Sequence, residues 1–355
     1  MASIPNLTRK TLVVAKSELA YASNAFVNAA TMESQLITSA SCALLLWDEV
    51  NPISLDTQVV EKQVLRASFS KYKDLIGRQL YMVKPKTMWM NSPGGQNNVP
   101  DVGPGTGDFA GAAPLKGRPP FFGHLLRSCG LKETVSLSSS VVYTPVSSNF
   151  KSTTIYVYAD QLRHEVLGCY GTAQIEGRAG EGLEVSFDMK GKYADPTANG
   201  VPAGIVYPQD TKELIEDASG SDSLTVSAHS GVGAAAIIVR SFRFDLGVQI
   251  VERRDFNSPD GLYGLWIIDR KPTLELVVEV DTLSVFNPWA DIDDQTTHSI
   301  SFAHGGATNR ISTFSFSAAQ LTGLNYQDDG GIRTYQLQYS LTSVGDDQEY
   351  SVTLA

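Results

Sequence analysis

The chain has 355 residues, 42% of them apolar and 19% charged, a composition that sustains a packed core and excludes disorder over most of the length. Lysines and arginines number 28 against 38 acidic residues, a formal charge of −10, which excludes a protein that grips nucleic acid by neutralising phosphates. The length predicts two domains, with one large β domain as the alternative.

The N-terminal MASIPNLTRKTLVVAKSELAYAS has no basic start followed by a continuous apolar run, so no secretion signal is expected. The apolar stretch Cys42–Trp47 is far too short to span a membrane. Cys42, Cys129 and Cys169 are widely and irregularly spaced. They fit neither a disulfide framework nor a zinc site, and are expected to be reduced and mostly buried.

Between Asn91 and Pro120 lies a long glycine-proline stretch that contains NNVPDVGPGTGDFAGAA, Asn97 to Ala113. A phosphate-cradling loop needs a lysine and a hydroxyl after its glycines, between a strand and a helix. This stretch has no such pair, and Pro100, Pro104 and Pro114 prevent a clean helix start on a phosphate. The later SGVGAAA, Ser230 to Ala236, lacks the pair too. Both read as surface connections, and no cofactor is expected.

Helix is scarce. The best candidate runs from Pro120 to Leu131, where Phe121, Leu125 and Cys129, with Phe122 and Leu126, recur at helical spacing. Pro119 and Pro120 suit its first turn and Gly130 its C-terminal cap. Ala318–Leu321 is read as at most one further turn.

Most of the chain alternates with the period of a strand. In LEVSFDM, Leu183, Val185, Phe187 and Met189 share one face, with Glu184, Ser186 and Asp188 on the other. The pattern recurs in Thr153–Tyr158, Leu274–Val280, Tyr335–Leu341 and Tyr350–Leu354. Polar opposite faces predict antiparallel sheet wetted on one side. A proline-, glycine- and charge-rich break from Asp195 to Ser223 separates the halves. It divides the chain into a first β domain, 1–200, carrying the 91–120 loop, and a second, 201–355.

No catalytic constellation emerges. His124, His164, His229, His298 and His304 stand alone, as surface or satisfied buried residues. No H-E-x-x-H, C-x-x-C or G-x-S-x-G occurs, so neither a catalytic residue nor a metal site is expected. Asp291-Ile-Asp-Asp294 lacks the glycine and distant glutamate of a calcium loop and reads as a solvated turn. Asp328-Asp-Gly-Gly331 and Asp346-Asp347 read as hairpin turns.

The run Pro119-Pro-Phe-Phe-Gly-His-Leu-Leu-Arg-Ser-Cys-Gly-Leu131, then Tyr143–Ser148, Ser152–Tyr156, Leu167–Thr172 and Gly180–Gly191, resembles the tail tube proteins of long-tailed, non-contractile (siphovirus-like) bacteriophages. Asp269–Leu276, Ala318–Gln320 and Gly331–Tyr335 continue the likeness, which covers most of the chain from Lys116 onward. The resemblance implies a mainly β, antiparallel sandwich or barrel-like fold with a short helix. It also implies stacked rings of six-fold or pseudo-six-fold symmetry around a channel for the viral genome, and no enzymatic activity. The implied partners are further copies of the chain and the tape measure, terminator and distal tail proteins. DNA passes without specific binding, and no membrane is involved. The chain would reside in the virion tail, after synthesis and assembly in the cytoplasm of the bacterial host.

Two strand-rich halves suggest duplication, so that three chains, rather than six, would complete a ring. The 91–120 loop, with Gly94, Gly103, Gly105, Gly107 and Phe109, is the candidate contact between rings. Glu184, Asp188, Glu275 and Glu279, on wet strand faces, are the candidates to line the channel, where like charge keeps DNA moving. Two other readings compete with this one. A carbohydrate-binding or carbohydrate-processing sandwich would use Tyr263, Trp266 and Trp289 for stacking; a head or head-tail joining protein would form isolated rings.

Overall fold

A computed structural model describes residues 11–18, 20–23, 43–44, 52–62, 70–89, 119–136, 139–201, 223–226, 237–258, 261–283, 286–305 and 311–355. Most of the 91–120 loop, including its five candidate residues, Ser230–Ala236, Cys42 and His229 lie outside these.

The first half contains β1 (Thr11–Ser17), β2 (Ala43–Leu44), β3 (Ile53–Val60), β4 (Leu75–Val83), β5 (Lys86–Met88), helix α1 (Gly123–Ser128), β6 (Leu131–Ser136), β7 (Ser140–Pro145), β8 (Thr153–Ala159), β9 (Leu162–Arg178) and β10 (Glu184–Tyr193). The second contains β11 (Ser223–Val226), β12 (Val239–Asp245), β13 (Val248–Arg254), β14 (Leu262–Arg270), β15 (Thr273–Glu279), helix α2 (Pro288–Asp293), β16 (Thr297–His304), β17 (Ser312–Asp329), β18 (Ile332–Thr342) and β19 (Tyr350–Leu354). The fold is mainly β and antiparallel, as the alternation predicts.

The pairing order repeats. In the first half it runs β1–β8–β9–β10–β4–β3, with β5 continuing β4 along β10. In the second it runs β11–β16–β17–β18–β15–β12. Each half places its helix after the same strand of this order, α1 following β5 and α2 following β15. Among the described residues, hairpin β6–β7 in the first half and hairpin β13–β14 in the second have no counterpart in the other.

The two halves meet edge to edge. β9 pairs with β8 as far as Cys169 and then, over Gln174–Arg178, with β12. A further join links β7 to β19. The resulting register puts Val185, Ile175, Phe244, Leu274 and Tyr339 in one cross-strand row. All five are buried, because residues directly opposite in antiparallel strands share a face.

The core they enter is common to both halves. Trp89 packs on Phe122 of the first half at 4.9 Å and on Phe314 of the second at 5.0 Å, and its indole N–H donates to Ser312 at 2.8 Å. Aromatic pairs at these separations add to the area they bury. α1 closes this core with Leu125 and Leu126, together with Phe121 and Phe122 of the turn that leads into it. It is shorter than the sequence pattern suggests but ends as predicted, at Gly130 with φ +79°, a conformation natural to glycine. Cys129 and Cys169 are buried and free.

Two expectations need correction. Ala318–Leu321 is strand within β17: alternation from Phe314 and Phe316 into Ala318 continues the sheet, overriding the helical propensity of two alanines. Asp291–Asp294 is not a solvated turn. Asp291 is fully buried in α2, 3.3 Å from buried His298, and the Asn287 side chain caps the helix by accepting from the Ala290 N–H.

Candidate functional site

The face of the sheet opposite the core carries the polar residues of the same strands. Glu184, Glu176, Arg243, Glu275 and Gln338 form a single row across β10, β9, β12, β15 and β18. Ser186, Gln174, Asp245, Thr273 and Ser340 form the next polar row. Glu184 and Glu275, 91 positions apart in sequence, therefore share a surface that spans both halves.

Strand alternation places the other two candidates, Asp188 and Glu279, on this face as well. All four are half-buried. They are not bare carboxylates, because each has a polar neighbour. Lys86 meets Glu184 at 2.6 Å and Glu176 at 3.7 Å, and Lys84 meets Asp188 at 3.4 Å. Arg240 bridges Glu279 at 2.9 Å and Asp329 at 2.7 Å. The Gln336 amide donates to Glu275 at 2.6 Å.

The hydrogen bond from Arg240 holds the Asp329 carboxyl below the usual carboxylate range, and its bond to Glu184 raises the Lys86 ammonium. An open depression lined by Glu176, Arg178, Glu184, Arg240, Arg243 and Glu275 marks the middle of this face. The surface thus carries both signs of charge, its carboxylates set among lysines and arginines. It is polar and locally neutralised.

Sequence reasoning missed these basic partners. Arg243 sits in SFRFD between Phe242 and Phe244, a strand alternation that does signal its outward position. Hairpin β13–β14 was missed as well. Its inner residues Leu262, Leu265 and Ile267 pack on Leu80 and Tyr170, while Val251, Tyr263, Phe256 and Ile268 are exposed. Two of the candidate stacking aromatics, Tyr263 and Trp266, lie on this hairpin, under the Arg253 guanidinium. The third, Trp289, lies on α2 beside Tyr326.

Among the described residues, no three metal-ligating side chains cluster. His124 accepts at Nδ1 from Arg127 at 2.9 Å. Burial first, then Arg127 and Lys16, pushes its pKa down to about 3, so its ring is neutral in the folded chain.

A sequence model of the phage tail tube protein family matches residues 47–349. No curated protein matches the chain.

Proposed function

Because the chain belongs to the phage tail tube protein family, a family of structural and not enzymatic virion proteins, we propose that it polymerises as stacked rings into the hollow tube through which DNA is ejected. The observation that carries the ring geometry is the repeated pairing order of the two halves. Each half supplies one sandwich repeat, 1–200 and 201–355, so three chains furnish six repeats around an axis. The continuous polar face built on Glu184, Asp188, Glu275 and Glu279 is the surface we assign to the channel. Its mixed charge suits rapid passage, because paired lysines and arginines have less to offer a phosphate.

Rings stack head to tail, with the 91–120 loop reaching the next ring. The tape measure, terminator and distal tail proteins are the further partners, the tail is of the non-contractile kind, and assembly takes place in the host cytoplasm. Electron microscopy of the purified protein tests this reading. Long hollow tubes with three chains per ring are expected. Six chains per ring would refute the three-chain count, and monodisperse particles or isolated rings would refute the tube.

A further inference from the structure

Asn199-Gly200 is the single Asn-Gly pair in the sequence, and both residues are exposed, beyond the end of β10 and outside any strand. Two tethers bracket the pair. Thr197 exchanges backbone hydrogen bonds with Arg163, both at 2.9 Å, and the Val201 N–H donates to the Asp160 carbonyl at 3.1 Å. The Asn199 N–H donates to the Thr197 carbonyl at 2.9 Å. Among the described residues, neither the Asn199 side chain nor the Gly200 N–H has a hydrogen-bond partner. The space beside Gly200 is open: a Cβ placed there would meet only the Asp160 carbonyl oxygen, at 3.5 Å.

The side-chain carbonyl carbon of an asparagine is an electrophile, and the next backbone nitrogen can close a five-membered ring on it. Hydrogen bonds to either group restrain the closure, and a bulky following side chain obstructs it; glycine brings no side chain and a permissive backbone. We infer that Asn199 is a site of spontaneous deamidation. The Gly200 nitrogen attacks Asn199 Cγ, the bond from Cγ to the side-chain nitrogen breaks, and that nitrogen leaves as ammonia with the proton given up by Gly200. Water then opens the succinimide. Addition at Cγ gives aspartate, and addition at the Asn199 main-chain carbonyl carbon gives isoaspartate, whose backbone is one methylene longer. No electrons are transferred, and water is the only co-reactant. Either product adds a negative charge. Isoaspartate also lengthens the path between the two tethers, which should loosen their grip on the β8–β9 turn.

The other described asparagines lack this combination. Asn287 precedes Pro288, which has no N–H to lose, and its side chain caps α2. The Asn257 side chain donates to Asp255 at 3.4 Å, and the following Ser258 N–H donates to the Asp255 carbonyl at 3.3 Å. Asn325 is paired within β17, opposite Gln336, and Asn149 precedes the bulky Phe150. Asp329-Gly330 offers a similar backbone in a turn, but closure there needs a neutral carboxyl. Arg240, at 2.7 Å, keeps that carboxyl ionised.

Mass spectrometry of the full chain tests the inference. The purified protein is incubated in mildly alkaline water enriched in oxygen-18, then digested with trypsin in ordinary water. The peptide from Tyr193 to Lys212 contains no other asparagine. It is expected to appear in two acidic forms, each with one heavy oxygen at position 199, and one of them a substrate for protein isoaspartyl methyltransferase. A peptide that keeps its amide, while a free synthetic peptide of the same sequence loses it, would overturn the inference by showing that the fold protects the site. Peptides containing Asn149, Asn257 and Asn325 should keep their amides; equal modification of these would overturn the selectivity. Gly200 is not in the left-handed region, and the space beside it accepts a methyl group. Gly200→Ala should therefore keep the parent circular dichroism spectrum and lose the acidic forms over the same incubation. Undiminished modification in that variant would overturn the role of the Gly200 nitrogen.

Discussion

Arg243 of β12 stands directly opposite Glu176 of β9 on one side and Glu275 of β15 on the other. This cation separates two carboxylates in the row that joins the two halves. Arg243→Glu turns the row into four adjacent carboxylates, and like charges directly opposite in a sheet destabilise by up to about 1 kcal/mol each. A loss of about 1–2 kcal/mol, a fall of ~2–4 °C in Tm, is expected at low salt, and added salt should partly restore it. Arg243→Gln should change Tm by less than half as much. An unchanged Tm for Arg243→Glu in scanning calorimetry would contradict this placement.

Phe244, in the adjacent buried row, is fully enclosed and packs on Phe316 and Tyr350, each at 5.0 Å. Phe244→Ala removes a ring from the place where β9, β12 and β15 meet the core. A cost of about 3–5 kcal/mol is expected, read as a lower urea midpoint at unchanged slope. A loss below about 1 kcal/mol would mean that this site collapses or is not packed as described.

How far these features were legible in the sequence follows from their range. Alternation in LEVSFDM shows that Glu184 faces away from Val185, because the period of a strand is local. The capping glycine at Gly130 and the paired phenylalanines just before α1 are equally local. That Glu184 shares a row with Arg243 depends on β9 bridging β10 and β12, a matter of register between distant strands that periodicity does not encode. The helical misreading of Ala318–Leu321 has the same origin: two alanines favour helix in isolation, and flanking strand partners decide otherwise. Asp291 reads as part of a solvated turn because its run lacks the glycine and distant glutamate of a calcium loop; His298, seven positions later, is the available clue to a buried partner.

His124 sets an acid limit on stability. Its ring is neutral when folded, with a pKa pushed down to about 3, against 6.5 for an unperturbed histidine. Between these values the unfolded chain binds the extra proton, so stability rises with pH and falls as the solution is acidified from about 6.5 towards 3. The linked loss reaches up to about 4 kcal/mol at the acid end. His124→Asn keeps an acceptor for Arg127 and removes the titration. Its stability between pH 7 and pH 4, from urea unfolding, should vary less steeply than that of the parent chain; an identical slope would exclude His124 as the source.

The surface proposed to line the channel makes the most direct functional prediction. Replacing Glu184, Asp188, Glu275 and Glu279 by their amides leaves Lys86, Lys84 and Arg240 without these carboxylate partners. Exposed ion pairs are worth up to about 1 kcal/mol each, so the fold should survive with a modest drop in Tm. The released cations become available to phosphate. Assembled tubes of the amide variant should therefore retain DNA at low salt and release it as salt rises, while parent tubes retain little. Replacement of the same four residues by lysine should strengthen retention and steepen its salt dependence, since each added phosphate contact raises the slope by about 0.9. The lysine variant places ammonium groups against Lys86 and Arg240, so its thermal stability should fall further than that of the amide variant. In virions the order of ejection rates is expected to be parent, amide, lysine, fastest to slowest. If lysine-variant tubes assemble normally, yet neither retain DNA at low salt nor slow ejection, these strands face the outside of the tube and the assignment of this surface to the channel fails.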